Sequence, residues 1–332
     1  AIYAMANHAI ETLKDSFDGD SLIDDLADKL ANARSASEDQ TLYHIGVGNN
    51  TTDMVIEILD QDKKPPVIPT GFGTYDKLMG GFPDNGLIIL AATTSSGKST
   101  MANQLAININ KLGWDVCKVS LEMPYEQELQ RFLSNITGIE HSKIHNKKLT
   151  PKEIKAIKKA YKDFVTKGKE EGRRLTIISP TEDLSLTQIL MLIKPFNYKV
   201  IFIDYISLLK ENGNVEQWKH LSEVAREAKR YTMKTGSLIV MLAQLDDDNK
   251  IRYSRAIKEH ADVVWNWSVT DADRENEKFT VNQTKGRNQG LISFDVNGKF
   301  ACMQLTDAGN MSMSDDDESD GEETSDISDL MG

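Results

Sequence analysis

The sequence predicts an α/β fold in which a mostly parallel sheet is flanked by helices. Three observations predict it. A short apolar run at 86–92 is rich in β-branched residues, a Gly-Lys-Ser-Thr turn and a helically spaced segment follow it, and further apolar runs alternate with helical segments as far as Ala243. Alternation of strands and helices along a chain is typical of parallel sheets.

The region before this domain is predicted to be helical. Apolar residues recur at helical spacing within 1–34, interrupted at Asp18-Gly-Asp20, which predicts two short amphipathic helices. Residues 35–50 are polar and resemble a linker, and a helix over 52–61 leads into the stop signal Lys63-Lys-Pro-Pro66. We therefore expect N-terminal helices and a linker at 1–62.

The main domain is predicted at 63–306, and its regular alternation of strands and helices begins after about Ile68. Long helices are absent between the last predicted strands, so we expect these strands to be antiparallel additions at one edge of the sheet. Eight strands are predicted, at 86–92, 115–121, 174–179, 199–206, 237–243, 262–268, 278–285 and 290–297.

The acidity of the chain is concentrated at its end. The net charge is −12, but residues 314–332 hold nine acids and no base, so the 39 basic and 42 acidic residues of the rest leave −3. This composition predicts a disordered acidic tail over 307–332. Two interpretations stay open: a solubilising segment, or a segment that binds a partner's basic groove through Ile327, Leu330 and Met331.

Neither a membrane segment nor an oxidising compartment is indicated. The chain has no run of eighteen apolar residues and no basic region followed by an apolar one at its start. Cys117 and Cys302 lie in apolar stretches and are expected to be core thiols, not a disulfide. We expect a cytoplasmic protein, in a bacterium or in a host cell.

The turn Ala91-Ala-Thr-Thr-Ser-Ser-Gly-Lys-Ser-Thr100 predicts a phosphate-binding loop, since it lies between a strand and a helix. The backbone N–H groups of such a loop and the helix N-terminus favour a polyphosphate. Lys98 is expected at the β- and γ-phosphates and Ser99 at Mg²⁺. Ala92 occupies the position where the usual pattern has its first glycine. The sequence thus predicts ATP and Mg²⁺ as ligands, held by Ser95, Ser96, Gly97, Lys98, Ser99 and Thr100.

Two acids follow predicted strands. Asp204 ends the apolar run Val200-Ile-Phe-Ile, where a carboxylate would face the ligand crevice, and it is the candidate for the metal; its alternative role is to cap the next turn. Glu122 follows the neighbouring strand and is the candidate general base, although it could instead cap the next helix.

Two further groups complete the predicted site. Gln244 ends a third strand and suits a γ-phosphate sensor. The turn Thr284-Lys-Gly-Arg-Asn-Gln-Gly290 carries Lys285 and Arg287, which would act on the nucleotide of a neighbouring subunit in a ring, with Arg287 as the finger. A solvated hairpin is the alternative for this turn.

Six segments together resemble the successive motifs of the DnaB-type replicative helicases, in the family's order over about 65–305. They are Thr70–Phe82, Ala91–Thr100, Ser120-Leu-Glu-Met-Pro124, Ile203-Asp-Tyr-Ile-Ser-Leu208, Ala243-Gln-Leu245 and Lys285-Gly-Arg-Asn-Gln-Gly290. The alanine at 92 is common in that family.

The resemblance implies a RecA-like P-loop NTPase core that forms a six-membered ring and hydrolyses ATP between subunits. It implies translocation on single-stranded DNA, 5′ to 3′, and unwinding of forked DNA in replication. Residues 1–62 are too few for the family's globular N-terminal domain, which meets primase, but the resemblance implies that they supply the linker helix that packs on the adjacent subunit. We therefore expect a compact variant such as a bacterial virus encodes, or a fragment.

The DNA contacts and partners are expected by the same resemblance. Lys250, Arg252 and Arg255 are the candidate contacts to DNA phosphates, close to the acids Asp246–Asp248. Primase, a helicase loader or a polymerase are the candidate partners, the last by analogy through the acidic tail. Two alternatives to the helicase are a RecA-like recombination or repair ATPase, and a nucleotide-gated scaffold that unwinds nothing.

Overall fold

The computed structural model describes Asp60 and residues 66–210, 216–245 and 254–313. The predicted helices of 1–62 and the acidic segment 314–332 lie outside the described residues. The chain divides into two compact units. One contains residues 1–66 and Thr187–Leu192, and the other contains Val67–Leu186 and Ile193–Gly332.

A nine-stranded sheet forms the centre of the larger unit, with the order β11-β10-β9-β8-β3-β7-β6-β4-β5. Its strands are β3 (Gly86–Ala92), β4 (Val116–Ser120), β5 (Leu175–Ile178), β6 (Val200–Asp204), β7 (Leu238–Gln244), β8 (Val263–Trp267), β9 (Lys278–Gly286), β10 (Ile292–Lys299) and β11 (Gln304–Met313). A separate antiparallel pair joins β1 (Val67–Ile68) and β2 (Phe82–Pro83).

The predicted fold class is confirmed. Strands β3 to β8 pair in parallel, and β9, β10 and β11 extend the sheet as antiparallel strands. The central strand β3 is buried at all seven positions, which is why its sequence is a continuous apolar run. The predicted antiparallel edge additions are correct for 278–285 and 290–297, but wrong for 262–268, because β8 pairs in parallel with β3 inside the sheet.

Nine α-helices lie within the described residues. They are α1 (Gly73–Met79), α2 (Lys98–Lys111), α3 (Tyr125–Thr137), α4 (His141–His145), α5 (Pro151–Glu170), α6 (Leu186–Ile193), α7 (Gln217–Thr235), α8 (Ser254–His260) and α9 (Asp271–Glu275). Within this described part of the chain, none of the helices is long and apolar enough to cross a membrane.

The predicted limit of the main domain at 306 is wrong, because β11 continues to Met313 and pairs with β10 along its length. Only the first strand of this hairpin was predicted. The sequence of β11, with Gly309 and Asn310, lacks the apolar run that identifies the central strands. Its polar composition follows from its position at the edge of the sheet.

An aromatic cluster beside β8 and β10 fixes the antiparallel part of the sheet to α1. Tyr75 meets Trp265 edge to face with ring centroids 4.7 Å apart, and Phe72, Phe82 and Phe294 surround them. All five are fully buried. The Tyr75 hydroxyl donates to Gln283 Oε1 at 2.8 Å, and burial raises the pKa of this phenol. The cluster thus couples the segment Thr70–Phe82 to the core.

Both cysteines are free thiols, as expected. Cys117 is buried, and burial raises its pKa to about 12. Cys302 is only partly buried, so the prediction that it is a core residue is wrong for this thiol. It lies in a 3₁₀ turn, Phe300–Cys302, between two strands of the sheet edge.

Candidate nucleotide-binding site

The phosphate-binding loop lies between β3 and α2, as the sequence predicts. Gly97 precedes α2 with φ at +77°, and a Cβ at this position would come within 2.8 Å of Phe300 Cε1. Both the backbone conformation and the space therefore require glycine. Lys98 opens the helix, and its ammonium donates to the Ala92 carbonyl at 3.2 Å. The Lys98 side chain is thus folded back over the phosphate-binding loop.

The loop is held in shape by β8 and the segment that follows it. Trp267 Nε1 donates to the Ser96 carbonyl at 2.8 Å, and the Val269 N–H donates to Ser96 Oγ at 3.0 Å. Arg274 donates to the Ser95 carbonyl. Within the loop, the hydroxyls of Thr93 and Ser96 share a hydrogen bond of 2.6 Å. These contacts preorganise Ser95 and Ser96, which the sequence placed among the phosphate ligands.

Asp204 ends β6 at the same edge of the sheet. It is 1% exposed, and neither carboxylate oxygen has a hydrogen-bond partner among the described residues. The nearest cation there is Lys118, whose Nζ lies 3.6 Å from Asp204 Oδ2. A buried carboxylate without hydrogen bonds requires an explanation, and a hydrated cation is one.

These residues fit a magnesium ion. The described residues contain no cluster of three or more His, Cys, Asp or Glu side chains that could hold a metal by themselves. Mg²⁺ commonly takes only one or two protein ligands and completes its shell with water and nucleotide phosphates. Asp204 and the hydroxyl of Ser99 at the start of α2 supply this kind of donor set.

Glu122 lies at the same edge of the sheet as Asp204. Strands β4 and β6 pair with Ser120 level with Asp204, and the Leu121 N–H donates to the Asp204 carbonyl at 2.8 Å. Glu122 is one residue further along, exposed, and lines the same cavity as Lys98. Burial lowers the pKa of Lys98, and the negative charges of Asp204 and Glu122 oppose that shift. The two carboxylates therefore favour the charged form of the Lys98 ammonium.

Gln244 lies beside the loop. It ends β7 level with Ala92 of β3, and its Nε2 donates to Thr94 Oγ1 at 2.7 Å. Gln244 thus lines the same cavity as Lys98 and Glu122. The amide is held by the phosphate loop itself, so a change in the loop would move it.

A cavity of about 420 Å³ is lined by Lys98, Glu122 and Gln244, and its wall contains Tyr205 but not the buried Asp204. Its wall also contains residues that the sequence did not identify: Thr94, Met123, Arg131, Tyr205, Phe300 and Met303. Phe300 stacks on Phe279 with centroids 5.8 Å apart, and the Arg274 guanidinium lies 5.5 Å from its centroid. Thr100, predicted as a phosphate ligand, is buried and donates to Met303 Sδ at 3.6 Å.

Lys285 and Arg287 lie elsewhere. Lys285 is level with Val264 near the start of β8, and its ammonium donates to the carbonyls of Lys258 and Glu259. The Arg287 N–H donates to the Asp262 carbonyl at 2.8 Å, and its Nε lies 3.3 Å from Asp262 Oδ1. Burial, and next the charge of Arg287, lower the pKa of Lys285.

The two cations are at the opposite end of the sheet from the phosphate loop. The Asp262 carboxylate that binds Arg287 also accepts from the Leu87 N–H, at the start of β3. Ala92 lies five residues further along this strand, about 17 Å away at about 3.3 Å per residue. The structure therefore does not bring Lys285 and Arg287 to the cavity of their own chain.

The predicted DNA contacts fall at the limit of the described residues. Lys250 and Arg252 lie outside them. Arg255 belongs to α8, but its side chain is outside the described part. Their role stays a prediction.

Known proteins resemble this chain in sequence. The replicative DNA helicase DnaB of Geobacillus stearothermophilus is 26% identical over 325 residues, covering 90% of this chain and 68% of that protein. A probable plasmid replicative DNA helicase of Chlamydia muridarum is 28% identical over 216 residues, with 59% and 46% covered. The replicative DNA helicase DnaC of Bacillus subtilis is 26% identical over 278 residues, with 74% and 59% covered. The chain thus spans between about half and two thirds of the length of these relatives.

Solved structures share the fold. One of them, an ATPase domain, superimposes with a TM-score of 0.67 at 18% identity, covering 78% of this chain and 97% of that one. A DnaB-like replicative helicase, whose structure was described with its interactions with primase, gives 0.67 at 17%, covering 92% and 75%. The model of the DnaB-like helicase C-terminal domain matches residues 67–307, and the chain therefore belongs to this family.

Proposed function

We propose that this chain is an ATP-dependent replicative DNA helicase that translocates on single-stranded DNA and unwinds forked DNA as a hexameric ring. The names of its relatives support replication as the process. The observation that carries the proposal is that Lys98, Glu122 and Gln244 line one cavity and that the buried Asp204 ends β6 directly before Tyr205 of the same lining, while Lys285 and Arg287 lie at the other end of the sheet.

In this proposal the residues at the cavity have different roles. The N–H groups of the loop and Lys98 bind the phosphates, and Ser99 and Asp204 hold Mg²⁺, which supplies charge neutralisation at the phosphates when bound. Glu122 is exposed to the cavity and accepts a proton from the attacking water. Gln244 contacts the γ-phosphate and transmits its loss through Thr94.

Lys285 and Arg287 serve the nucleotide of a neighbouring subunit in this proposal. Their distance from their own phosphate loop supports a role in trans, since neither could reach that nucleotide along the length of β3. Arg287 is half exposed and so is available to another chain. A guanidinium at the transferring phosphate stabilises transition-state charge.

The remaining expectations belong to the same proposal. Lys250, Arg252 and Arg255 would contact DNA phosphates in the channel of the ring, which would make affinity for DNA strongly dependent on salt. Primase, a loader or a polymerase would be the partners at the fork. A cytoplasmic location follows from replication.

Turnover of ATP, with and without single-stranded DNA, and unwinding of forked DNA test the proposal. Glu122→Gln is expected to lower turnover by about 10²- to 10⁴-fold with nucleotide binding retained, because the general base is lost. Glu126→Gln, an exposed acid on the next helix, is the control and should keep full turnover. A wild-type chain that binds ATP but unwinds no fork would refute the helicase and leave a nucleotide-gated scaffold.

Arg287→Ala tests the shared site and is expected to lower turnover about 10³-fold or more. Arg174→Ala is the matched control, since Arg174 and Arg287 are each 50% exposed and each pair with an aspartate. Mixed subunits carrying Lys98→Ala and Arg287→Ala should regain part of the turnover, since some interfaces combine an intact loop with an intact arginine. Full turnover in Arg287→Ala would refute the role in trans.

A further inference from the structure

One segment of this acidic chain is strongly basic. Between Lys143 and Arg174 there are twelve basic and four acidic side chains, a net charge of +8 in a chain of −12. The helix α5 occupies most of this segment. It begins with a complete capping box between Thr150 and Glu153. Seven of the twelve basic residues lie on this regular helix.

The lysines of α5 face away from the protein. Phe164 turns inward and meets Phe132 edge to face at 5.0 Å, and Gly168 is buried. The exposed side carries four lysines that make no ion pair with any residue the structure describes: Lys155, Lys158, Lys159 and Lys162. These four ammonium groups therefore contribute no ion pair to the stability of the described part of the chain.

A cavity of about 700 Å³ lies beside this helix and is lined by further cations. Lys111 and Lys167 line it together with Arg173 and two acids, Asp163 and Glu171. Arg173 is already bound by Asn110 and Glu171, but Lys111 has no ion pair among the described residues. Burial, and then the charges of Arg173 and Lys167, lower the pKa of Lys111. An anion in the cavity would relieve this repulsion.

Two large apolar side chains are exposed among the lysines. Ile154 is 41% and Tyr161 is 46% exposed. They are seven residues apart, which is about two helical turns, so they lie on the same side of α5. We call Ile154, Tyr161 and the four lysines, with the cavity beside them, the α5 surface. It combines positive charge with an aliphatic and an aromatic contact.

We propose that the α5 surface binds the acidic segment 314–332 of this chain. That segment has nine acidic side chains and no base, and it carries Ile327, Leu330 and Met331 near its end. Its charge matches the lysines, and its apolar residues match Ile154 and Tyr161. A nucleic-acid backbone would match the charge but offers no aliphatic group to Ile154.

The chain is long enough for this contact. The segment follows β11, and nineteen residues span at most about 60 Å when extended. Nine strands at about 4.8 Å spacing make the sheet about 40 Å wide. Tethering also gives the segment a high effective concentration, in the millimolar range for flexible linkers. The contact requires neither ATP nor DNA, and the inference goes beyond the proposed function.

Photocrosslinking in the full chain tests this inference. Tyr161 is replaced by p-benzoylphenylalanine, and the crosslinked peptides are identified by mass spectrometry. Trp218 receives the same group in a control chain, because it is also 46% exposed. We expect peptides from 314–332 at position 161 at least about threefold above the control. Equal yields at both positions would overturn the inference.

Charge and salt give a second measurement. Lys158→Glu with Lys162→Glu should abolish the crosslink, whereas Lys77→Glu with Lys194→Glu, two exposed lysines elsewhere, should preserve it. Raising salt from about 0.1 M to about 1 M shortens the Debye length from about 10 Å to about 3 Å and should lower the yield. A yield unchanged by the α5 reversal would refute the contact.

Single-stranded DNA distinguishes the alternative occupant. With DNA added in excess, the segment should still be the crosslinked product. If DNA takes the crosslink instead, the α5 surface is a nucleic-acid site and the inference is wrong. Turnover of ATP on the same DNA, measured in parallel, reports on the proposed function separately.

Discussion

Lys118 and Asp204 face each other on the paired strands β4 and β6, with 3.6 Å between Nζ and Oδ2, and both are 1% exposed. The Lys118 ammonium also has partners other than Asp204. It donates to both oxygens of Glu128 at 2.7 and 2.8 Å and to Asn103 Oδ1 at 2.7 Å. One buried lysine therefore links the helices α2 and α3 to the carboxylate of the candidate metal site.

Lys118→Met tests this link. The substitution leaves Glu128 buried without its cation, so we expect the free energy of unfolding to fall by about 3–5 kcal/mol. Urea denaturation followed by circular dichroism measures it. Lys118→Met combined with Glu128→Gln should recover part of the loss, because the unpaired buried charge is gone. A double variant less stable than the single one would show that the ion pair is not the cause.

The sequence predicts those site residues that end or directly follow a recognisable strand. The phosphate loop, Asp204 and Gln244 each follow directly on a strand whose apolar run is visible, and the parallel topology then brings them to one edge. Lys118 was not identified, because a lysine inside Val116–Ser120 looks like an outward-facing residue unless its partner, ten residues away on α3, is known. Phe300 was missed for the same reason, since it meets Gly97 about two hundred positions earlier in the chain.

The tertiary contacts of Phe300 lead to a prediction on nucleotide affinity. Its ring lines the cavity and lies under Arg274, which in turn holds the Ser95 carbonyl. Phe300→Ala should raise KM for ATP about tenfold with kcat little changed, a loss of about 1.4 kcal/mol in binding. Phe196→Ala, another partly exposed phenylalanine, is the control. A fall in kcat at constant KM would contradict a role in binding.

The stability of the first turn of α5 depends on pH through the Glu153 carboxylate. Its carboxylate accepts from the backbone and hydroxyl of Thr150 and then from Lys143, and these bonds lower its pKa from 4.5 to about 2. Because the pKa is lowered in the folded state, this stabilisation is complete above pH 4.5 and is lost as pH falls towards about 2.

Glu153→Gln should therefore lower the urea midpoint at pH 7, and the difference from the wild type should shrink as pH falls below 4.5. Glu170→Gln, an exposed acid at the other end of α5, is the control and should show no such trend. Titration of the Glu153 carboxyl carbon by NMR measures the pKa directly. A midpoint near 4.5 would show that the capping box does not hold the charged form.

Asp262 positions Arg287 through its carboxylate. Besides Arg287, its carboxylate accepts from the Leu87 N–H and from Lys229 Nζ at 2.6 and 2.8 Å, so the arginine is attached to the first residues of β3. Asp262→Asn keeps the shape and removes the charge. In a ring with shared sites, turnover should fall about tenfold, equivalent to about 1.4 kcal/mol of transition-state stabilisation, while ATP affinity stays the same. Asp84→Asn, which also breaks an aspartate–lysine pair, is the control. ATP affinity that fell together with turnover would show a general loss of structure and not a mispositioned arginine.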